Sequence, residues 1–268
     1  MITITKHHGL GNDFLVCDSS QMDPGAPWAQ LARDWCDRRR GIGADGLLLL
    51  TILDRDELSM KLHNADGSLA EMSGNGIRCL TQAAYMVQGR EGSVDYTVHT
   101  DAGVRIVATY VVDARTTHAS VSMGAITDID EPHGWVGIAA DPARPVLHLS
   151  VGNPHTVVGV DDVTVIDLRA LGELVPQVNL EIIEPGPQPE AITMRVHERG
   201  AGITQACGTG ACAGAWAAAA WGLATPKHGE ILVHMDGGDA TVRLNEPEQG
   251  HVTLAGPAVF IARVQIDL

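Results

Sequence analysis

HNADGSLAEMSGNGIRC (His63–Cys79) and HERGAGITQACGTGACA (His197–Ala213) are two versions of one segment. In register, His63 meets His197, Ser73 meets Cys207, Gly74 meets Gly208 and Gly76 meets Gly210. Further out, VHTDAG (Val98–Gly103) answers VHMDGG (Val233–Gly238), and GND (Gly11–Asp13) answers GNP (Gly152–Pro154). Blocks in the same order, at nearly one spacing of about half the chain, mark an internal duplication. A chain of 268 residues accommodates two domains of ordinary size. The duplication predicts one over residues 1–122, completed by a C-terminal strand within 257–268, and a second over 123–256.

Each repeated segment opens a helix. The patterns predict helices over Gly74–Val87 and Gly208–Leu223. The second, with Ala217–Ala220, is apolar nearly all round, so it belongs inside its domain with a sheet wrapped about it. Strand-like runs are Thr3–Thr5, Gly46–Leu53, Leu58–Asn64, Val94–Thr100 and Val104–Val112 in the first half. In the second they are Val146–Val151, His155–Val160, Val178–Ile183, Ile192–His197, Ile231–Met235, Ala240–Leu244 and Val252–Leu254. Outer helices are expected over Trp28–Arg38 and Asp167–Val175. The last strand, Ala258–Ile266, has no counterpart in the second repeat and reads as crossing back to complete the first domain. The fold class is therefore α/β of the α+β type: two pseudo-symmetric domains, each a mostly antiparallel sheet rolled around a central helix.

A formal net charge of -15 repels phosphate backbones and anionic lipid, which argues against nucleic-acid and membrane partners. No apolar run reaches membrane-spanning length. The opening Met1-Ile2-Thr3-Ile4 runs straight into Lys6-His7-His8-Gly9, unlike a signal peptide. Five cysteines without paired spacing point to a reducing, cytoplasmic setting. No histidine spacing suggests zinc. The lysines are Lys6, Lys61 and Lys227, and none lies in a pyridoxal motif. Both G-x-G segments lack the third glycine of a dinucleotide fingerprint. No cofactor is expected.

The chemistry concentrates at the helix starts. The first N–H groups of a helix have no internal partner and attract anions. Cys207 stands at such a start, and the terminus is expected to lower its thiol pKa. A buried structural cysteine is the alternative. Ser73-Gly74-Asn75-Gly76 puts a second helix start in the matching place. If a pseudo-twofold relates the halves, both starts grip one carboxylate and residues 73 and 207 flank the carbon beside it. That arrangement removes a proton from one face and returns one to the other.

HGLGNDF (His8–Phe14), NADGS (Asn64–Ser68), GNGIRC (Gly74–Cys79), GNPH (Gly152–His155), ERGAG (Glu198–Gly202) and QACGTG (Gln205–Gly210) together resemble the diaminopimelate epimerase family, in order and along the whole chain. The resemblance implies a cofactor-independent, two-base epimerase interconverting LL- and meso-diaminopimelate, for lysine and peptidoglycan precursor synthesis. It implies Cys207 as one acid/base and Gly74, Asn75, Gly208 and Thr209 as the carboxylate cradle. It implies Asn12, Asn64, Asn153, Asn179, Glu198 and Arg199 around the rest of the substrate, with His155 and Glu198 tuning the thiols. A homodimer is the commonest soluble assembly for such a chain.

One position departs. The family carries its other catalytic cysteine before Gly74-Asn75-Gly76, where this chain has Ser73; Cys79 lies further along the helix. A hydroxyl is a far weaker acid than a thiol, and inversion needs both faces served. The serine is an introduced change, a natural one with slow second transfer, or the mark of a one-base reaction. Alternatives to the epimerase are a racemase or dehydratase acting on another amino acid, a silent amino-acid-binding relative and, most remote, a nucleotide-binding oxidoreductase.

Overall fold

The computed structural model describes residues 1–70, 72–135, 144–244 and 250–267. Contacts divide the chain into two compact units, Met1–Val121 with Gly256–Leu268, and Ser122–Ala255.

The first unit contains β1 (Ile2–Gly9), β2 (Asn12–Asp18), α1 (Trp28–Cys36), β3 (Gly46–Asp54), β4 (Glu57–Asn64), β5 (Leu69–Ala70), α2 (Gly74–Val87), β6 (Ser93–Thr100), β7 (Gly103–Val111) and β8 (Thr116–Ala125). A tight turn joins β1 to β2 with Leu10 and Gly11 at φ 55° and 83°, the left-handed pair that two-residue hairpins need. From there β2 runs parallel to β3, β3 antiparallel to β4, β4 parallel to β6, and β6, β7 and β8 antiparallel in turn. The last strand of the chain pairs with both β8 and β1 and closes an eight-strand barrel.

Helix α2 fills that barrel, with every residue from Gly74 to Tyr85 buried. Leu48 and Leu50 face inward, while Leu47 and Leu49 pack outward against Ala32 and Trp35 of α1. A strand covered on both faces reads as a continuous apolar run. The polar residues of α2 are bonded as burial demands. Gln82 donates to the carbonyls of Arg115 (2.9 Å) and Ala258 (2.8 Å). Arg78 donates to Gly74 O (3.0 Å) and Asn75 Oδ1 (2.7 Å).

The second unit repeats the scheme with β9 (Thr127–Asp128), β10 (Val146–Ser150), β11 (Pro154–Gly159), α3 (Leu168–Leu174), β12 (Asn179–Pro185), β13 (Ala191–Glu198), β14 (Gly202–Thr204), α4 (Gly208–Trp221), β15 (Glu230–Met235), β16 (Gly238–Leu244) and β17 (His251–Ile266). The order of parallel and antiparallel pairs is the same, β10 through β16 standing for β1 through β7. Thr127–Asp128 pairs with β10, and the Ile126 N–H donates to Gly250 O at 2.8 Å. The helix inside is alanine- and glycine-rich because the space is small. A Cβ at Gly214 would meet Met194 Sδ at 3.2 Å.

Several boundaries differ from the sequence reading. Helix α4 stops at Trp221 because Gly222 turns left-handed at φ 70° and closes the last turn onto Ala218 and Ala219. Helix α1 ends at Cys36. The expected runs Val252–Leu254 and Ala258–Ile266 are one strand of 16 residues. Its inward alternation of Val252, Leu254, Gly256 and Ala258 continues straight through Gly256-Pro257. It does have a counterpart: β8 and β17 are each the eighth strand of a repeat. Leu268, the end of the expected closing segment, lies outside the described residues.

Candidate active site

Both central helices begin in the same way. Cys207 is the N-cap of α4, with extended backbone (φ -120°, ψ 116°), and its sulfur accepts the Gly210 N–H at 3.4 Å. Ser73 is the N-cap of α2 (φ -140°, ψ 124°), and its Oγ accepts the Gly76 N–H at 3.0 Å. In each case the cap satisfies one orphan donor of the first turn.

The surroundings of the two caps differ. In the second unit, Thr209 Oγ1 lies 3.4 Å from Cys207 Sγ and accepts from Asn153 Nδ2 at 3.3 Å. Completely buried His155 lies between Asn153 Oδ1 (Nε2, 3.0 Å) and Glu181 Oε1 (Nδ1, 2.7 Å). Glu198, at the end of β13, accepts from the Thr204 hydroxyl, and its charge bears on the Cys207 thiol. Gly210 is glycine for a steric reason: a Cβ there would lie 2.6 Å from Glu181 Oε1 and 3.3 Å from Cys207 Sγ.

In the first unit, Asn75 Nδ2 donates to Asn12 Oδ1 (3.3 Å), and Asn12 Nδ2 donates to Asp45 Oδ2 (2.8 Å). Next to Asn12, burial opposes ionisation of Asp13, but Arg38 and Lys6 outweigh it and hold the carboxyl below its ordinary range. Strand register aligns Phe14 with His155, because Phe14 pairs with Gly46 and His155 with Asn179. Two residues on, Leu48 aligns with Glu181, and at the next strand Asn64 aligns with Glu198.

The expected lowering of the Cys207 pKa is overturned. Burial pushes the thiol well above its ordinary value, and the charges of Glu198 and Glu181 push it the same way; the hydrogen bonds from Thr209 and Gly210 only oppose them. Burial likewise raises Glu198. Thiol and carboxyl are both weaker acids here than in water.

Of the residues singled out from sequence, Cys207, Gly208, Thr209, Asn153, His155 and Glu198 gather at the α4 start, and Ser73, Gly74, Asn75 and Asn12 at the α2 start. Asn179 Oδ1 accepts the Arg199 N–H at 2.8 Å, while the exposed Arg199 guanidinium has no ion-pair partner among the described residues. Asn64 bonds Ser68 Oγ at 3.0 Å within its turn and makes no bond to the α2 start among the described residues. Glu181 was not singled out. Its signal was present: a lone charge inside the apolar run Leu180–Ile183 of a strand that ought to be covered on both faces.

Solved structures share this architecture. A phenazine biosynthesis protein of Bacillus anthracis superposes with a TM-score of 0.75 at 15% identity, covering 100% of this chain and 99% of that one. A hydroxyproline epimerase from Agrobacterium vitis, with bound trans-4-hydroxy-L-proline, gives 0.70 at 17%, covering 99% and 90%. Two barrel units, each with a capped helix at its centre, are the fold that these structures share. The sequence is more specific. The diaminopimelate epimerase family pattern matches residues 4–128 and 147–261. The diaminopimelate epimerase of Bacteroides thetaiotaomicron is 38% identical over 267 residues, covering 97% of this chain and 96% of that protein. That of Thermosynechococcus vestitus is 36% identical over 284 residues, covering 97% of each. The chain belongs to the diaminopimelate epimerase family and is an enzyme of the epimerase class.

Proposed function

We propose that the chain interconverts LL- and meso-diaminopimelate without a cofactor, with positions 73 and 207 as its two acid/base positions. The observation that carries the reading is the matched cap: Ser73 and Cys207 each end an extended segment and bond the third N–H of a central helix. A helix start is suited to the reacting carboxylate, where negative charge accumulates as the α-hydrogen leaves. Cys207 loses its proton to Glu198, and the thiolate takes the α-hydrogen. In the reverse direction the neutral thiol delivers it. Asn12, Asn64, Asn153, Asn179 and Arg199 hold the remaining amino and carboxylate groups, Arg199 as a fork for a carboxylate.

Ser73 cannot match Cys207 in this scheme, so epimerisation by the chain as it stands is slow. Incubation with LL-diaminopimelate in D2O, beside a Ser73→Cys variant, tests this. The variant is expected to form meso product with solvent deuterium at a much higher rate. Equal turnover by both would defeat the two-thiol account.

A second reading draws on the one-sided chemistry of the units. The imidazole and both carboxylates stand at the Cys207 cap, while the Ser73 cap has Phe14 and Leu48 in place of His155 and Glu181. That asymmetry suits a one-base racemase or dehydratase relative, or a binding protein. Tight amino-acid binding with no deuterium wash-in, even after Ser73→Cys, would favour the binding protein.

A further inference from the structure

The polar residues at the α4 start form one unbroken run of hydrogen bonds. Glu181 Oε1 meets His155 Nδ1, His155 Nε2 meets Asn153 Oδ1, Asn153 Nδ2 meets Thr209 Oγ1, and Thr209 Oγ1 meets Cys207 Sγ. Strands β11 and β12 and helix α4 each contribute, all within the second unit. Both Glu181 and His155 are fully buried, and Glu181 Oε2 has no hydrogen-bond partner among the described residues. Burying such groups is unfavourable, and an apolar pair of similar volume is often as stable or more so. The first unit contains that apolar pair, Phe14 and Leu48, at the same register positions of the same barrel. Barrel packing therefore does not require Glu181 and His155.

We propose that Glu181 is a positioning residue for proton transfer at Cys207, fixing His155 from Nδ1 and, through Asn153 and Thr209, setting the direction of the hydrogen bond at the thiol. An ionised Glu181 only accepts, so His155 Nδ1 must donate to it. In the observed arrangement Nε2 meets Asn153 Oδ1 and Asn153 Nδ2 donates to Thr209 Oγ1, which leaves the Thr209 hydroxyl to donate to the Cys207 sulfur and favours thiolate. The ionisable groups facing Cys207 and His155 are Glu181 from β12 and Glu198 from β13.

The catalytic arm of the test rests on the epimerase reading; the spectroscopic arm does not. In free protein, imidazole 15N and 1H spectra should show His155 protonated at Nδ1, with a far-downfield proton that Glu181→Leu removes. An unprotonated Nδ1, or a His155 spectrum indifferent to Glu181→Leu, overturns the proposal. In deuterium exchange with diaminopimelate, in the Ser73→Cys background, Glu181→Leu and His155→Phe should each slow α-hydrogen exchange roughly 10–100-fold, as loss of an outer carboxylate does for metal-bound imidazoles. Both should displace the pH profile, and the double variant should be no slower than the slower single. Penalties that multiply in the double variant overturn it. Glu181→Gln keeps both the shape and an acceptor, so it guards against misfolding and should fall between native and Leu. If no variant exchanges the α-hydrogen, the functional reading fails while the spectra still decide the role of Glu181.

Discussion

Leu48 occupies in the first unit the barrel position that Glu181 occupies in the second, and the glycine beside each reports the difference. A Cβ added at Gly76 would lie 3.5 Å from Leu48 Cδ2, an ordinary contact, with Ser73 Cβ at 3.1 Å. At Gly210 it would lie 2.6 Å from the Glu181 carboxylate. The same duplicated helix start is thus lined by hydrocarbon in one unit and by charge in the other.

Gly210→Ala and Gly76→Ala form a matched pair. Helix propensity favours alanine equally at both. The steric penalty should make Gly210→Ala less stable than Gly76→Ala by about 1–3 kcal/mol, the usual range for overpacking. Urea midpoints of the two variants, with equal slopes, give the difference directly; equal midpoints would deny the close approach of Glu181 to the α4 start.

Cys207→Ala should reduce α-hydrogen exchange from diaminopimelate by roughly 10²–10⁴-fold, the scale of one positioned acid/base group. Deuterium incorporation followed by mass spectrometry checks it. Exchange retained at the native rate would move the base to another residue.

How much of this was legible in the sequence varies by element. The helices α2 and α4 announce themselves through a small polar cap, a G-x-G turn and an apolar body. Strand β2 was hidden because Asn12 and Asp13 carry turn chemistry, and β8 because polar residues occupy both faces, Thr117 inward beside Ala119, Val121 and Met123, and Thr116, His118, Ser120 and Ser122 on the other side. At the site, the motifs pick out Asn153, His155, Glu198 and Thr209 as chemistry-bearing. The state of the Cys207 thiol could not be read, since a helix start is visible in sequence but two carboxylates converging on it from β12 and β13 are not.

His7 gives a pH prediction. Burial lowers its pKa from 6.5 to about 4, against the Gln82 hydrogen bond and helped slightly by His8. The folded state therefore resists protonation that the unfolded chain accepts. The stability that neutral His7 provides is complete above pH 6.5 and is lost as pH falls toward 4, by roughly 3 kcal/mol for a shift of this size. Urea unfolding at pH 7 and pH 4.5 should show a loss that His7→Gln largely removes; identical slopes with pH in both proteins would show that His7 is not responsible.

Arg199→Ala should raise KM for diaminopimelate by about 10–100-fold, as expected for one lost charge-assisted hydrogen-bonding group, with kcat nearly preserved. Steady-state kinetics in the Ser73→Cys background separate the two constants. A fall in kcat with KM unchanged would place Arg199 at the reacting carbon and away from the distal group.

The eighth strands carry a consequence for biogenesis. As the nascent chain leaves the ribosome, α2 emerges long before Pro257 and Ala258, whose carbonyls accept from Arg78 and Gln82. Until β17 arrives, the earlier barrel lacks both its closing strand and the carbonyls of Pro257 and Ala258, so it cannot close before the second unit has been synthesised. A gene fragment cut after Val121 would express an unsealed shell rather than an independent module.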